Sequence, residues 1–275
     1  MKHTLLAAVL ALVSATALNA KLITKPVAYE QGGTKLEGYL AYDDAKVSKE
    51  HPAPGVLVVH EWWGLNDYTK GRAKQLAGMG YVAFALDMYG AGISTEEPSK
   101  ASELARQFYG KPLMAERARA GLDQLLATGL VDESKVAAIG FCFGGSTVMT
   151  LAYSGAPLAG IVSFHGGLVP LTAVPGAAEA TKAKFLILHG AIDPFVKPEE
   201  ITAFKKALDD AKVDYQFISY SGAVHAFTNP DATRISKEKN LQGIGYNEVA
   251  AKRSWKQMQS FFKEIFKSSG KHAKG

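Results

Sequence analysis

The spacing of apolar and polar positions changes period after the first forty or so residues. From about Lys21 to Tyr42 they alternate (Val27, Tyr29, then Leu36, Gly38, Leu40), with Gly32-Gly33 between the halves, which predicts an antiparallel hairpin. Gly55 to His60, GVLVVH, is a nearly continuous apolar run of the kind found in strands buried on both faces. Asp67 to Met79 then alternates at helical spacing and stops at Gly80, and Tyr81 to Leu86 reads as the next buried strand. A helical stretch from about Pro98 to Thr128 is broken near Gly110-Lys111-Pro112. Strands follow at Ser134–Gly140, Leu158–Phe164, Phe185–His189 and Tyr215–Tyr220, with helices at Gly145–Tyr153 and Pro198–Asp209. A last amphipathic helix, Val249–Phe266, carries Trp255, Met258, Phe262, Ile265 and Phe266 on one stripe. Strands alternating with helices imply a mostly parallel sheet covered on both faces, and place the chemistry at the C-terminal strand ends.

Composition narrows the class. With 47% hydrophobic residues in 275, the chain can fill a real core. Residues 1–20 carry Lys2, an apolar run from Leu5 to Val13, and small residues at Ala15 and Ala17. That is the layout of a secretory signal peptide, with cleavage expected after Ala17 or Ala20. The run is shorter than the roughly 20 residues a spanning helix needs, so no stable membrane insertion is expected. Residues 21–275 then read as a single exported α/β domain, periplasmic or secreted. The formal charge of +5 is concentrated late, in residues such as Lys252, Arg253, Lys256 and Lys263. Without interleaved exposed aromatics or a known module this is a solvated helix face, and no nucleic-acid partner is expected.

One cysteine, Cys142, cannot close an intramolecular disulfide or build a cysteine zinc cluster, so it serves packing or reactivity. It stands in Gly140-Phe-Cys142-Phe-Gly144, a Gly-x-Cys-x-Gly turn between a buried strand and a helix. This is the nucleophile-elbow pattern, in which a strained central residue needs small neighbours two positions away. A buried core thiol in a glycine-rich turn is the competing reading. Two further strand ends bear on the choice: HGAIDP supplies Asp193 and GAVHAF supplies His225, in the order nucleophile, acid, histidine. The backbone N–H groups of Phe143 and of Trp62, in HEWWG, are candidate oxyanion donors. Glu61 is unexpected there, since a carboxylate raises a thiol's pKa; its simplest use is as a structural acceptor. Trp63, Tyr89 and Phe227 are candidate pocket residues, with core packing as the alternative. A metal site from His60, Glu61, His165, His189 and His225 lacks the usual His pair on one helix, and neither metal nor cofactor is expected.

HEWWGLN, LDMYG, GFCFGG, HGAIDPFV and YSGAVHAF, in that order, resemble the dienelactone hydrolase (carboxymethylenebutenolidase) family of α/β-hydrolases. The resemblance implies the α/β-hydrolase fold and a Cys142–His225–Asp193 triad that cleaves a small ester or lactone through a thioester. It also implies that Glu61 contacts the resting thiol and releases it when substrate binds. Family members acting on dienelactone hold the substrate carboxylate with two arginines, whose places here are taken by Ala91 and Asn229. Arg106, Arg117, Arg119 and Arg234 are the nearest replacements, and each reads as a surface residue. The alternatives are a general carboxylesterase of broader range and a non-catalytic binding protein on the same scaffold.

Overall fold

The computed structural model describes residues 21–268, so the expected signal segment lies outside the described residues. The chain starts with β1 (Leu22–Gln31) and β2 (Thr34–Asp43), antiparallel with Gln31 opposite Thr34. Gly32 and Gly33 form the two-residue turn at φ +57° and +76°, the double positive φ that such hairpins require. Next come β3 (Ala53–Val59), α1 (Asp67–Gly78), β4 (Val82–Leu86), α2 (Pro98–Ala105), α3 (Leu113–Leu126), β5 (Val131–Phe141) and α4 (Phe143–Tyr153). β6 (Gly160–Phe164), a 3-10 turn at Leu171–Ala173, α5 (Ala177–Ala180), β7 (Lys184–Gly190), α6 (Pro198–Asp210), β8 (Tyr215–Tyr220), α7 (Ala232–Glu238) and α8 (Glu248–Ser268) complete it.

All eight strands form one sheet in the order β1-β2-β4-β3-β5-β6-β7-β8. β1 and β2 are antiparallel to their neighbours and the rest are parallel. The pleat sends alternate residues to opposite faces. Leu57, Val59, Phe84 and Ala138 pack with Leu122 and Leu125 of α3 and Val148 of α4. Val56, Val58, Ala137 and Ile139 pack with Leu76 of α1 and Met258, Phe261 and Phe262 of α8. Each buried Phe or Leu on these faces contributes on the order of 2 kcal/mol by removing apolar surface from water. The strand order reverses between β3 and β5, which opens a crevice at their C-terminal ends.

The expected elements appear with their ends shifted by a few residues. α4 starts at Phe143, directly after the cysteine, rather than at Gly145. The 3-10 turn, α5 and α7 were not anticipated; each is too short to display an apolar stripe. Arg117 corrects the surface reading. It is buried at 5% exposure on α3 and donates to the Met88 carbonyl (2.9 Å), Gln31 Oε1 (2.7 Å) and Thr34 Oγ1 (3.2 Å). Its guanidinium thus fastens the hairpin to the sheet, whereas Arg119 and Arg234 form exposed ion pairs.

Candidate active site

Cys142 sits between β5 and α4 at φ 53°, ψ −114°, a conformation L-residues avoid. The turn holds it there because its two glycines allow the backbones to touch. A Cβ on Gly140 would fall 1.9 Å from the Gly144 carbonyl oxygen, and one on Gly144 would fall 2.4 Å from that of Val59. The Cys142 N–H donates to the Phe164 carbonyl (3.0 Å), and its own carbonyl accepts from the Gly145 N–H (2.9 Å). The thiol is left half-buried at the N-terminus of α4, whose first N–H belongs to Phe143.

Asp193 and His225 come from the loops after β7 and β8. His225 Nδ1–H donates to Asp193 Oδ2 at 2.8 Å, and the other carboxylate oxygen accepts the Phe195 N–H at 2.9 Å. The His225 backbone is clamped on both sides, donating to the Gly243 carbonyl and accepting from the Gly245 N–H, each at 3.1 Å. With Nδ1 committed, Nε2 is the nitrogen left for Cys142, which lines the same small cavity and lies close enough for its charge to act on the ring. Burial would lower the pKa of His225, but the charge of an ionised Cys142 and the bond to Asp193 outweigh it and push the imidazolium up to about 10.

Glu61 follows β3 and is buried at 2% exposure. Its Oε2 accepts from Asn229 Nδ2 at 2.7 Å, and Asn229 Oδ1 in turn accepts the Asp231 N–H at 3.0 Å, which fixes the amide's orientation. Glu61 and Cys142 line the same small cavity, with Glu61 Oε2 taken up by Asn229. Burial raises the Glu61 carboxyl to about 7, against the lowering effect of Asn229, His225 and Arg72. That cavity has about 10 Å³ of free space, a single water's worth, and is also lined by Trp62, Trp63, His225 and Asn229. Among the described residues no lysine or arginine lines it. The two places where the resemblance implies an arginine hold the exposed Ala91 and the buried Asn229, and neither side chain carries a charge.

Of the expected pocket aromatics, Trp63 lines the cavity, while Tyr89 and Phe227 are core. Tyr89 donates its hydroxyl to the Trp62 carbonyl at 3.0 Å, and Phe227 packs edge-on against His165, ring centres 5.2 Å apart. Both support the site from behind because their apolar rings fill the space beneath the loops.

Sequence reasoning missed the buried layer under the site. His60 is kept neutral by burial; its Nδ1–H donates to the Glu61 carbonyl and its Nε2 accepts the Met88 N–H (3.3 Å). Its ring stacks on Phe143 at 5.9 Å, so one side chain braces the segments carrying both candidate oxyanion donors. His165, at φ 43°, pairs its Nε2 with Thr228 Oγ1 (2.7 Å) and lies edge-on to His225 at 5.4 Å. The only signal for these two was a histidine at a strand end, which does not distinguish a bracing ring from a ligand. Among the described residues, no three His, Cys, Asp or Glu side chains are grouped as a metal site requires. No helix among them is long and apolar enough to cross a membrane.

A comparison with known families matches residues 36–266 to the dienelactone hydrolase family. The chain belongs to the dienelactone hydrolase family. A dienelactone hydrolase-like promiscuous phosphotriesterase from metagenomic libraries is 40% identical, aligns over 90% of this chain and 99% of its own, and superposes with a TM-score of 0.83. A solved structure described as m3DLH is 37% identical over 89% of this chain and 98% of its own, with a TM-score of 0.82. A protein of Aquifex aeolicus provisionally named a carboxymethylenebutenolidase is 29% identical, covering 88% of this chain and 98% of its own. An acylaminoacyl peptidase, 15% identical with a TM-score of 0.66 over 88% of this chain and 41% of its own, shares the fold alone. Membership makes this chain a hydrolase of ester or lactone bonds on an α/β-hydrolase scaffold.

Proposed function

We propose that this dienelactone hydrolase-family chain hydrolyses small neutral carboxylic esters or lactones with Cys142 as nucleophile. One observation carries the reading: the strained Cys142 turn faces a histidine whose far nitrogen is locked to a buried carboxylate at 2.8 Å. His225 accepts the thiol proton and Asp193 holds the imidazolium in the productive tautomer. The sulfur attacks the ester carbonyl, and the oxyanion forms against the N–H groups of Phe143, at the positive end of α4, and Trp62. The imidazolium then protonates the leaving alkoxide as the carbon–oxygen bond breaks, leaving a thioester. Water, deprotonated by His225, attacks that thioester and expels the Cys142 sulfur, which recovers the proton. The single-water cavity beside Glu61, Cys142 and His225 is where we place this hydrolytic water.

The test is p-nitrophenyl acetate turnover by the purified chain and its Cys142→Ala variant. A loss of about 10³-fold or more is expected in the variant, as for removal of a triad nucleophile. Iodoacetamide should block the wild type in parallel with alkylation of Cys142. Full turnover by Cys142→Ala would overturn the assignment, and a chain that binds esters without cleaving them would favour a binding protein.

A second activity has its own support in the 40% identity to a promiscuous phosphotriesterase. The same sulfur attacking an aryl phosphotriester would expel a phenolate, and paraoxon is the probe. Export through residues 1–20 is part of the proposal as well; N-terminal sequencing of the chain recovered from outside the cytoplasm, beginning near residue 18 or 21, would test it.

A further inference from the structure

The cavity at Cys142 holds about 10 Å³, too little for any substrate beyond its reacting atoms. A second cavity, of about 630 Å³, lies alongside the helix the nucleophile caps, within the range of sites for drug-sized ligands. It runs between α3, α4 and the loop after β6, with Met114, Leu168, Val169 and Val174 among its walls. Ser146, which lines it, is four residues beyond Cys142, one turn along α4. Cys142, Leu168, Val169 and Val174 pack against the same buried cluster. Tyr109 lines the groove and meets Phe143, the residue after Cys142, edge-on at 5.6 Å. The nearby charge of Cys142 acts on the Tyr109 hydroxyl as well, although Tyr109 as a whole is 47% exposed.

The groove is polar in sequence but apolar in effect. Ser146, Thr150 and Ser154 all face it, yet each hydroxyl donates to a backbone carbonyl or sulfur of the protein. Ser146 Oγ donates to the Gly167 carbonyl (2.8 Å), Thr150 Oγ1 to that of Ser146 (2.9 Å), and Ser154 Oγ to that of Leu151 (2.7 Å). A ligand there meets methyl and methylene groups and the Pro170 and Pro175 rings, with Lys111 and Glu116 at the open side.

We infer that this groove is the acyl-chain subsite, and that the substrates are esters of apolar, medium-length carboxylic acids. The inference rests on the proposed hydrolysis at Cys142. The direction follows from the mechanism: the leaving oxygen must reach His225 for its proton, and His225 lines the small cavity but not the groove. The acyl arm therefore points away from His225, past Tyr109 and along α4.

The experiment is kcat/KM for p-nitrophenyl esters from acetate to octanoate, measured on the wild type, Ala115→Trp and Leu168→Asn. Ala115 lines the groove from α3, so a Trp there occupies its volume, and Leu168→Asn makes its wall polar. In the wild type kcat/KM should climb about 2- to 3-fold per methylene, on the order of 10²-fold over the series, a partial realisation of full methylene burial. In both variants the climb should fall below roughly 10-fold, through KM, with circular dichroism and a cooperative melt reporting an intact fold. Turnover on acetate with a flat chain-length profile would overturn the groove assignment alone. A steep profile that both variants retain would overturn it too. No turnover on any ester would overturn the reading of Cys142, and the subsite with it.

Discussion

Replacing Glu61 by glutamine isolates the energetic cost of a buried carboxylate. The carboxyl is 2% exposed and is pushed from 4.5 to about 7 by burial. In the unfolded chain it titrates near 4.5, so between that pH and 7 the folded state holds a proton the unfolded state has released. A raised folded pKa gives a contribution fully present below the unfolded value and lost as pH rises through the folded one. The rise from 4.5 to about 7 corresponds to about 3 kcal/mol, of which roughly 1 kcal/mol is already gone at pH 5 and nearly all by pH 8. The glutamine of the Glu61→Gln variant keeps an oxygen to accept the Asn229 amide at every pH and carries no charge. The difference in unfolding free energy between Glu61→Gln and wild type should therefore widen in the variant's favour by about 2 kcal/mol from pH 5 to pH 8. In melting temperature that is about 4–8 °C for a chain of this size. Urea or thermal unfolding of both proteins at pH 5, 6, 7 and 8 reads it directly, because the titration of every other group cancels in the difference to first order. A gap that stays constant over this range would refute the buried-carboxylate argument.

Further substitutions test other parts of the structure. Asp193→Asn leaves the His225 contact geometry in place but removes the charge that fixes its tautomer, so ester kcat should fall about 10³- to 10⁴-fold with little change in fold by circular dichroism. Gly140→Ala forces a methyl to 1.9 Å from the Gly144 carbonyl and should cost more than about 3 kcal/mol in denaturant titration. By contrast Gly71→Ala, in the middle of α1 with open space around it, should stabilise by about 0.5–1 kcal/mol. Arg117→Met strands the buried Met88 carbonyl and unties the hairpin, at about 2–3 kcal/mol. Hydrogen exchange should then speed up in β1 and β2 before the rest of the sheet.

The fold was legible where one physical signal dominated. Runs such as GVLVVH and FLIL are buried on both faces, so their sequence is apolar at almost every position, and the hairpin shows its turn as Gly32-Gly33. The turn around Cys142 was legible for a similar reason, since only glycine fits at 140 and 144. Side-chain partners were less so. Glu61 could be placed at the end of β3, but its partner lies 168 residues away on a loop whose course no local pattern encodes. Arg117 stands on the same helix as Leu122 and looks like an ordinary charged residue; its burial depends on the hairpin folding back over α3 to offer acceptors. The groove was invisible because its serines and threonine read as polar until their hydroxyls are seen turned inward.

The Glu61–Asn229 pair also bears on which substrates the site accepts. An arginine at position 229 would place a cation beside the nucleophile, able to hold a substrate carboxylate. Asn229 instead presents a neutral amide, and one of its two N–H donors is already given to Glu61. A carboxylate entering the small cavity would find no lysine or arginine on its walls, would meet a His225 imidazolium whose charge is already matched by Asp193, and would face Glu61, ionised above about pH 7. In a buried setting two like charges at close range are mutually costly, so one must take up a proton or stay out. An ester with no charge near its carbonyl meets no such penalty, and its apolar arm has the α3–α4 groove to enter. Discrimination against anionic substrates should therefore weaken as pH falls below about 7 and Glu61 becomes neutral, and Glu61→Gln should remove that pH dependence while leaving the preference for long acyl chains intact.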